Sequence, residues 1–165
     1  MLENQAKTVY LGIGSNLGNK KRNIEKAKFE LIQNNIWIEK SSNYYETLSW
    51  PNIKNPKFLN IVLKIKTNLP PLKLLYICKK IEILLGRKKR KKNAPRECDI
   101  DIIDYKSQKI KDKIILPHPR MTKRNFVLFP LYELDKAWTH PITGLPIKKL
   151  ILSLPNRDIR SIKQI

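Results

Sequence analysis

The sequence predicts one α+β domain, a sheet with helices packed on it, and three observations carry that reading. Strand-like and helix-like stretches alternate as strand–helix–strand, then strand–helix–strand. The apolar spacing switches between two and about 3.6 residues at boundaries marked by Gly, Pro and Asn. The chain has 165 residues, 41% hydrophobic and 29% charged, which suits a soluble protein with one core.

Thr8 to Ile13 is a β-branched and aromatic run ending in Gly14-Ser15-Asn16, a strand and then a turn that the glycines are expected to shape. From about Lys21 to Asn35, Ile24, Ala27, Phe29, Leu31 and Ile32 recur at helical spacing. Ile36 to Ile38 and Ser42 to Thr47 predict a second strand, and SWPNIKNPK a loop. Leu59, Ile61, Leu63 and Ile65 alternate as in a half-buried strand. Pro70-Pro71 open a helix whose stripe of Leu74, Leu75, Cys78, Ile81, Leu84 and Leu85 stops at Gly86, a C-cap residue. Cys98 to Tyr105 follows as a strand, then a hairpin from Tyr105 to Leu116 and helical pieces near Lys123–Leu134 and Ile147–Leu152. The double βαβ order is that of a ferredoxin-like sandwich. No repeat, low-complexity tract or long linker divides the chain, so a single domain over residues 1–165 is expected.

The charge is lopsided: 34 Lys+Arg against 14 Asp+Glu, a net +20. That balance favours phosphate-bearing partners, although a compositional drift toward Lys, Ile and Asn yields the same excess. Cys78 and Cys98 lack CxxC spacing, which argues against a zinc ribbon or a disulfide scaffold and for a reducing compartment. No basic-then-apolar leader and no membrane-length apolar run is visible, so a cytoplasmic location is expected.

The most informative stretch is Pro95-Arg96-Glu97-Cys98-Asp99-Ile100-Asp101-Ile102. Residues two apart in a strand share a face, so Asp99 and Asp101 stand side by side while Cys98, Ile100 and Ile102 turn to the core. Two adjacent carboxylates call for a cation between them, and magnesium binds through one or two carboxylates plus substrate phosphates. A solvated pair on an edge strand is the plain alternative. The preceding GRKKRKK, six cations in seven residues, tips the balance toward a polyphosphate site. His118 lies in LPHPRMTKRNF with Arg120, Lys123 and Arg124 close behind, which makes a phosphate contact credible. His140 has no such company. The segment Gly12 to Gly18 fits neither GxGxxG nor GxxxxGK[ST], which disfavours Rossmann and Walker-type sites. Tyr44, Tyr45, Trp50, Phe58, Phe126 and Phe129 are the aromatic candidates for stacking, and Asn60 could read the edge of a planar heterocycle.

GSNLG, APRECDIDI and PHPRMTKRNFVLFPL occur in the order and spacing of a known enzyme family. Over Thr8 to Leu134 the chain resembles the 6-hydroxymethyl-7,8-dihydropterin pyrophosphokinases of folate synthesis. The resemblance implies transfer of the β,γ-diphosphate of ATP to the pterin hydroxymethyl group with release of AMP, on a ferredoxin-like αββαβ core with mobile loops and two Mg2+ ions. It makes Asp99 and Asp101 the metal ligands and, with Arg87 and Arg96, the catalytic group. Glu82, Lys89, Ile102 (through its main chain), His118 and Arg124 fall at ATP-binding positions, and Thr47, Leu48, Trp50, Phe58, Asn60 and Phe126 at pterin-binding ones. The implied partners are small molecules, acting on a monomer without membrane or nucleic acid. The chain departs from the family where RWGPR is usual: Lys92-Asn93-Ala94-Pro95-Arg96 lacks the Trp, in a loop one residue shorter. Leu48-Ser49-Trp50 replaces a Pro-rich stretch, and Trp50 is a candidate lid. The rival reading is a basic ferredoxin-like RNA-binding module, against which stand the missing RGFGFVxF-type string and the two acids on the candidate strand.

Overall fold

Val9–Ser15, β-branched and aromatic apart from its glycines, forms strand β1 in the interior of a sheet in the computed structural model, which describes residues 7–165. It pairs antiparallel with β4 (Phe58–Lys66) on one side and β5 (Asp99–Tyr105) on the other. Strands β2 (Trp37–Ser41) and β3 (Tyr45–Thr47) both lie along β4, and β8 (Lys163–Gln164) adds to β3. The sheet order β5-β1-β4-β3 is antiparallel throughout, as a ferredoxin-like sandwich requires. The expected second strand is thus two strands, and between them the Ser42 hydroxyl takes the Val62 N–H that a strand carbonyl would otherwise accept.

Helix α1 (Lys20–Gln33) is capped by the Asn19 side chain, which accepts from the Arg22 N–H at 3.0 Å. Helix α2 (Pro71–Leu84) starts with Pro at its first position and gives way to Gly86, whose φ of +108° is open to glycine. Both helices pack on one face of the sheet, α1 burying Ile24, Ala27 and Leu31 and α2 burying Leu74, Cys78 and Ile81. Phe29, Ile32 and Leu84, expected on the apolar stripes, are exposed instead. Cys78 and Cys98 are buried free thiols, and burial pushes Cys78 up to about 12. Neither is a nucleophile in that state.

A second layer covers the other face. The hairpin β6 (Ile110–Lys111) and β7 (Ile115–Leu116) leads to a short 3-10 turn, Met121–Lys123, and then to α3 (Asn125–Leu134). Helices α4 (Ile147–Leu152) and α5 (Asn156–Ser161) follow; no periodicity announced the latter or β8. Met121, Val127, Leu128, Leu131, Trp138, Ile147 and Leu150 pack against Tyr10, Val62 and Ile103. Two hydrogen bonds fasten this layer: Tyr10 Oη donates to Asp135 at 2.9 Å and Trp138 Nε1 to Asp104 at 2.8 Å. No helix among the described residues is long and apolar enough to cross a membrane.

One register shift interrupts the pairing of β1 with β5. Gly14 faces Asp99, Ile13 faces Ile100, Gly12 faces Asp101 and Leu11 faces Ile102, but Tyr10 faces Asp104 and Ile103 has no partner. Ile102 joins one core and Ile103 the other by ordinary alternation, and the bulge lets Asp104 meet the second layer beside Ile103 while Tyr105 returns to the first core. Asp99 and Asp101, before the bulge, are partly exposed, while Asp104, one residue past it, is fully buried.

Candidate active site

Gly12 and Gly14 lie inside β1, not in the turn after it; Gly18, at φ +71°, belongs to that turn. Their role is to lower the middle of the sheet between β5 and β4. A methyl group on Gly14 would come within 2.8 Å of Asn60 Oδ1 and 3.4 Å of the Phe58 ring, and one on Gly12 within 3.3 Å of Ile103. The bare backbone lets the side chains of Asn60 and Phe58 lie over β1. Asn60 is buried and donates from Nδ2 to Thr47 Oγ1 at 2.9 Å, which fixes the face of its amide. Thr47 is itself buried opposite Phe58. Leu48 and Trp50 are exposed on the 48–57 loop, and the Arg157 guanidinium stands 5.1 Å above the Trp50 ring.

On the β5 side the two carboxylates are met by three arginines. Arg87 Nη1 donates to Asp99 and also to Glu82 Oε2 at 2.7 Å. Arg96 Nε pairs with the other Asp99 oxygen in an alignment that leaves this buried N–H without a hydrogen-bond partner. Arg124 reaches Asp101 at 3.4 Å. Each of two arginines also covers a phenyl ring, Arg96 over Phe58 at 5.5 Å and Arg124 over Phe126 at 5.4 Å. The carboxylates and the two rings therefore form one connected surface.

Glu82 is 1% exposed, with Oε1 accepting the Ile100 backbone N–H at 2.7 Å and Lys79 at 3.2 Å. Burial pushes its carboxyl upward while the Ile100 N–H, Lys79 and Arg87 oppose the shift. What Glu82 offers the site is the position of Arg87 rather than an open oxygen. Lys89 sits in the 86–97 loop, which encloses a hollow of about 180 Å3 lined by Arg87, Lys88, Arg90, Lys91, Lys92 and Asn93 among others. Asn93 has a φ of +64°, a left-handed turn conformation that Asn tolerates well, and its carbonyl accepts from Asn55 at 3.5 Å. The Ile102 side chain is core, and only its main chain is at hand for a ligand. His118 hangs from β5 through its N–H to the Ile103 carbonyl, at 2.8 Å, and its Nδ1 accepts from the Arg120 N–H at 3.1 Å. Burial, Arg124 and Arg120 hold its imidazole below the usual histidine range against the pull of Asp101.

Magnesium chemistry fits these donors. Among the described residues no cluster of three or more acids, histidines or cysteines could cage an ion, and Mg2+ does not ask for one. Two carboxylates beside a phosphate-binding surface suffice, because substrate oxygens and water complete its octahedron.

The family model for 7,8-dihydro-6-hydroxymethylpterin-pyrophosphokinase matches residues 10–136, a stretch that contains every residue of this surface. The chain belongs to the 7,8-dihydro-6-hydroxymethylpterin-pyrophosphokinase family. A 2-amino-4-hydroxy-6-hydroxymethyldihydropteridine pyrophosphokinase of Aquifex aeolicus is 46% identical over 143 residues, covering 86% of this chain and 89% of that protein. Its Bacillus subtilis counterpart is 37% identical over 127 residues, 76% of each chain. Other relatives are longer: the folic acid synthesis protein of Pneumocystis carinii is 36% identical across 98% of this chain, which spans 22% of it. Among solved structures, wild-type Plasmodium falciparum HPPK-DHPS superposes with a TM-score of 0.72 at 16% identity, over 96% of this chain and 44% of that one. At that identity the superposition shows the shared fold.

Within this family setting the residues expected from sequence lie around Gly12 and Gly14, apart from Glu82 and the side chain of Ile102, which are beneath that surface, and Lys89, Leu48 and Trp50, which ride on loops. Sequence reasoning missed the strand glycines and Asn16. The signal that could have found the glycines was their spacing of two, the strand period, opposite Asp99 and Asp101.

Proposed function

We propose that this chain transfers the β,γ-diphosphate of ATP to the hydroxymethyl group of 6-hydroxymethyl-7,8-dihydropterin and releases AMP. The observation that carries this reading is the joining of Asp99 and Asp101 to Phe58 and Phe126 through Arg96 and Arg124. A flat heterocycle between the two rings, with its edge on Asn60 and the backbone at Thr47 and Leu48, sets its substituent next to the carboxylates. ATP phosphates meet Arg87, Lys89, Arg96, His118 and Arg124, and the adenine meets the main chain at Ile102.

Asp99 and Asp101 hold two Mg2+ ions in this proposal. Bound there, magnesium would supply the positive charge that neutralises and orients phosphate oxygens. Arg96 leaves the Phe58 ring as the pterin enters, and its Nε–H, paired with Asp99 but not hydrogen-bonded, turns to a phosphate oxygen. The hydroxymethyl oxygen attacks the β-phosphorus in line and releases its proton to solvent, a new P–O bond forms, and the bond from the β-phosphorus to the oxygen bridging it to the α-phosphate breaks so that AMP departs. Alignment and charge neutralisation carry the acceleration. Trp50 serves as a cover over the pterin loop. We place the protein in the cytoplasm as a monomer.

The RNA-binding reading fares poorly against the fold. An RNA-binding sandwich of this type stacks bases on an open sheet face. Here α3 and α4 bury that face at Tyr10, Val62 and Ile103. The test is AMP formation from ATP and magnesium with and without the pterin. AMP that depends on pterin, with no ADP, is expected; ADP in its place would overturn the diphosphate transfer.

A further inference from the structure

One buried carboxamide ties together the two loops that the proposed reaction uses. Asn16, just past β1, is 2% exposed. Its Oδ1 accepts the Arg96 backbone N–H at 2.9 Å, and its own N–H donates to the Arg96 carbonyl at 3.1 Å, so Arg96 is clasped on both sides of its α-carbon. Its Nδ2 donates to Ser49 Oγ at 3.1 Å and to the Pro56 carbonyl at 3.2 Å. Ser49 Oγ in turn donates to the same Pro56 carbonyl, which closes the base of the 48–57 loop. Both donors and the acceptor of this amide are thereby spent on segments 33 to 80 residues away in sequence. A buried polar network of this kind, fully satisfied, selects one arrangement of the parts it joins.

We propose that Asn16 is a positioning residue that sets Arg96 and the pterin loop together, so that a single side chain registers the phosphate half of the site against the ring half. The proposal rests on the diphosphate-transfer reading for its kinetic consequences but not for the linkage itself. Asn is required because the two halves make opposite demands: Arg96 needs an acceptor, while Ser49 and Pro56 need donors. No other small side chain presents both in one rigid plane.

That opposition yields a split that loss of stability alone cannot imitate. Asn16→Asp keeps the acceptor for Arg96 and loses both donors. It is expected to raise the pterin KM at least about tenfold while kcat stays within about threefold of the parent. Asn16→Ala loses both halves and is expected to lower kcat by about tenfold or more as well, since misplacing a reacting group by an ångström costs up to about a hundredfold. Ser49→Ala, which spares Asn16 and Arg96, should reproduce the aspartate pattern more mildly, and it decides the matter if the Asn16 variants do not fold. Hydrogen exchange read without substrates tests the linkage independently: the Arg96 amide should stay protected in Asn16→Asp and lose protection in Asn16→Ala. A parent protein without pterin-dependent AMP would overturn the functional reading, and the exchange pattern would still decide the linkage. Parent-like kcat and pterin KM in folded Asn16→Ala, or an unchanged pterin KM in Ser49→Ala, overturns the proposal.

Discussion

Arg96 lies over the ring of Phe58, its guanidinium carbon 5.5 Å from the ring centroid, while its Nε meets Asp99. The same cation thus covers a surface proposed for the pterin and neutralises a carboxylate proposed for the metal. Its backbone is held by Asn16, so the side chain can swing while the anchor stays. Arg96→Ala should therefore lower kcat far more than it weakens ATP binding, by about a hundredfold against about threefold. Steady-state kinetics beside nucleotide titration checks this; equal losses in both would make Arg96 a ground-state ATP contact.

Asp99→Ala and Asp101→Ala should each abolish turnover at saturating magnesium. The sequence alone suggests solvated acids of little structural weight, but Asp99 is 22% exposed and met by two arginines. Its removal leaves Arg87 and Arg96 without that partner in a chain already at +20, and we expect a stability loss of about 1 kcal/mol, read by urea titration. Near-normal turnover in either variant would refute the metal assignment.

Gly14→Ala places a methyl group 2.8 Å from Asn60 Oδ1 and against the Phe58 ring. Asn60 has to turn away, which disturbs its bond to Thr47. The expected outcome is a pterin KM raised about tenfold with the ATP KM unchanged, roughly the cost of one hydrogen bond to a buried group. An unaltered pterin KM would show that Asn60 does not read the heterocycle.

His140 carries a pH dependence of stability. It is buried, its ring meets Trp138 edge-on at 5.9 Å, and its Nδ1 accepts from the backbone N–H groups of Ile142 and Thr143. Burial holds its imidazole below the usual histidine range. The folded state thus binds this proton less readily than the unfolded chain, whose histidine titrates near about 6.5. Stability from this group is present above that value and is lost as pH falls from it toward the folded pKa. Melting temperature should drop between pH 7 and 5, and His140→Asn should flatten part of the slope. An NMR midpoint for His140 at or above the unfolded value would contradict this.

Trp138 donates to Asp104 from a fully buried position at the centre of the second layer. Trp138→Phe removes the donor facing a buried carboxylate, and a loss of about 2–3 kcal/mol is expected. Because Asp104 lies toward the opposite end of β5 from Asp99, both substrate KM values in the folded variant should hold. A shifted pterin KM would mean that the loss at Asp104 is carried through α3 to Phe126.

Much of this was legible in the chain itself. The periodicities of Leu59 to Ile65 and of Leu74 to Ile81, the stop at Gly86 and the face shared by Asp99 and Asp101 are local properties, fixed by the geometry of one strand or helix. The sequence by itself determined the order of the elements up to α4, apart from the divided second strand, the pairing of acids with a basic loop, and the family. Tertiary structure alone decided that Gly12 and Gly14 form a floor between Asp99 and Asn60, that residues 37–47 split into two strands, and that Arg96 and Arg124 each join a carboxylate to a phenyl ring. It also decided that Asn16 holds Arg96, 80 residues away. The reason is physical: register across strands and the destination of a buried amide depend on partners distant in sequence, and no local spacing encodes which distant group arrives.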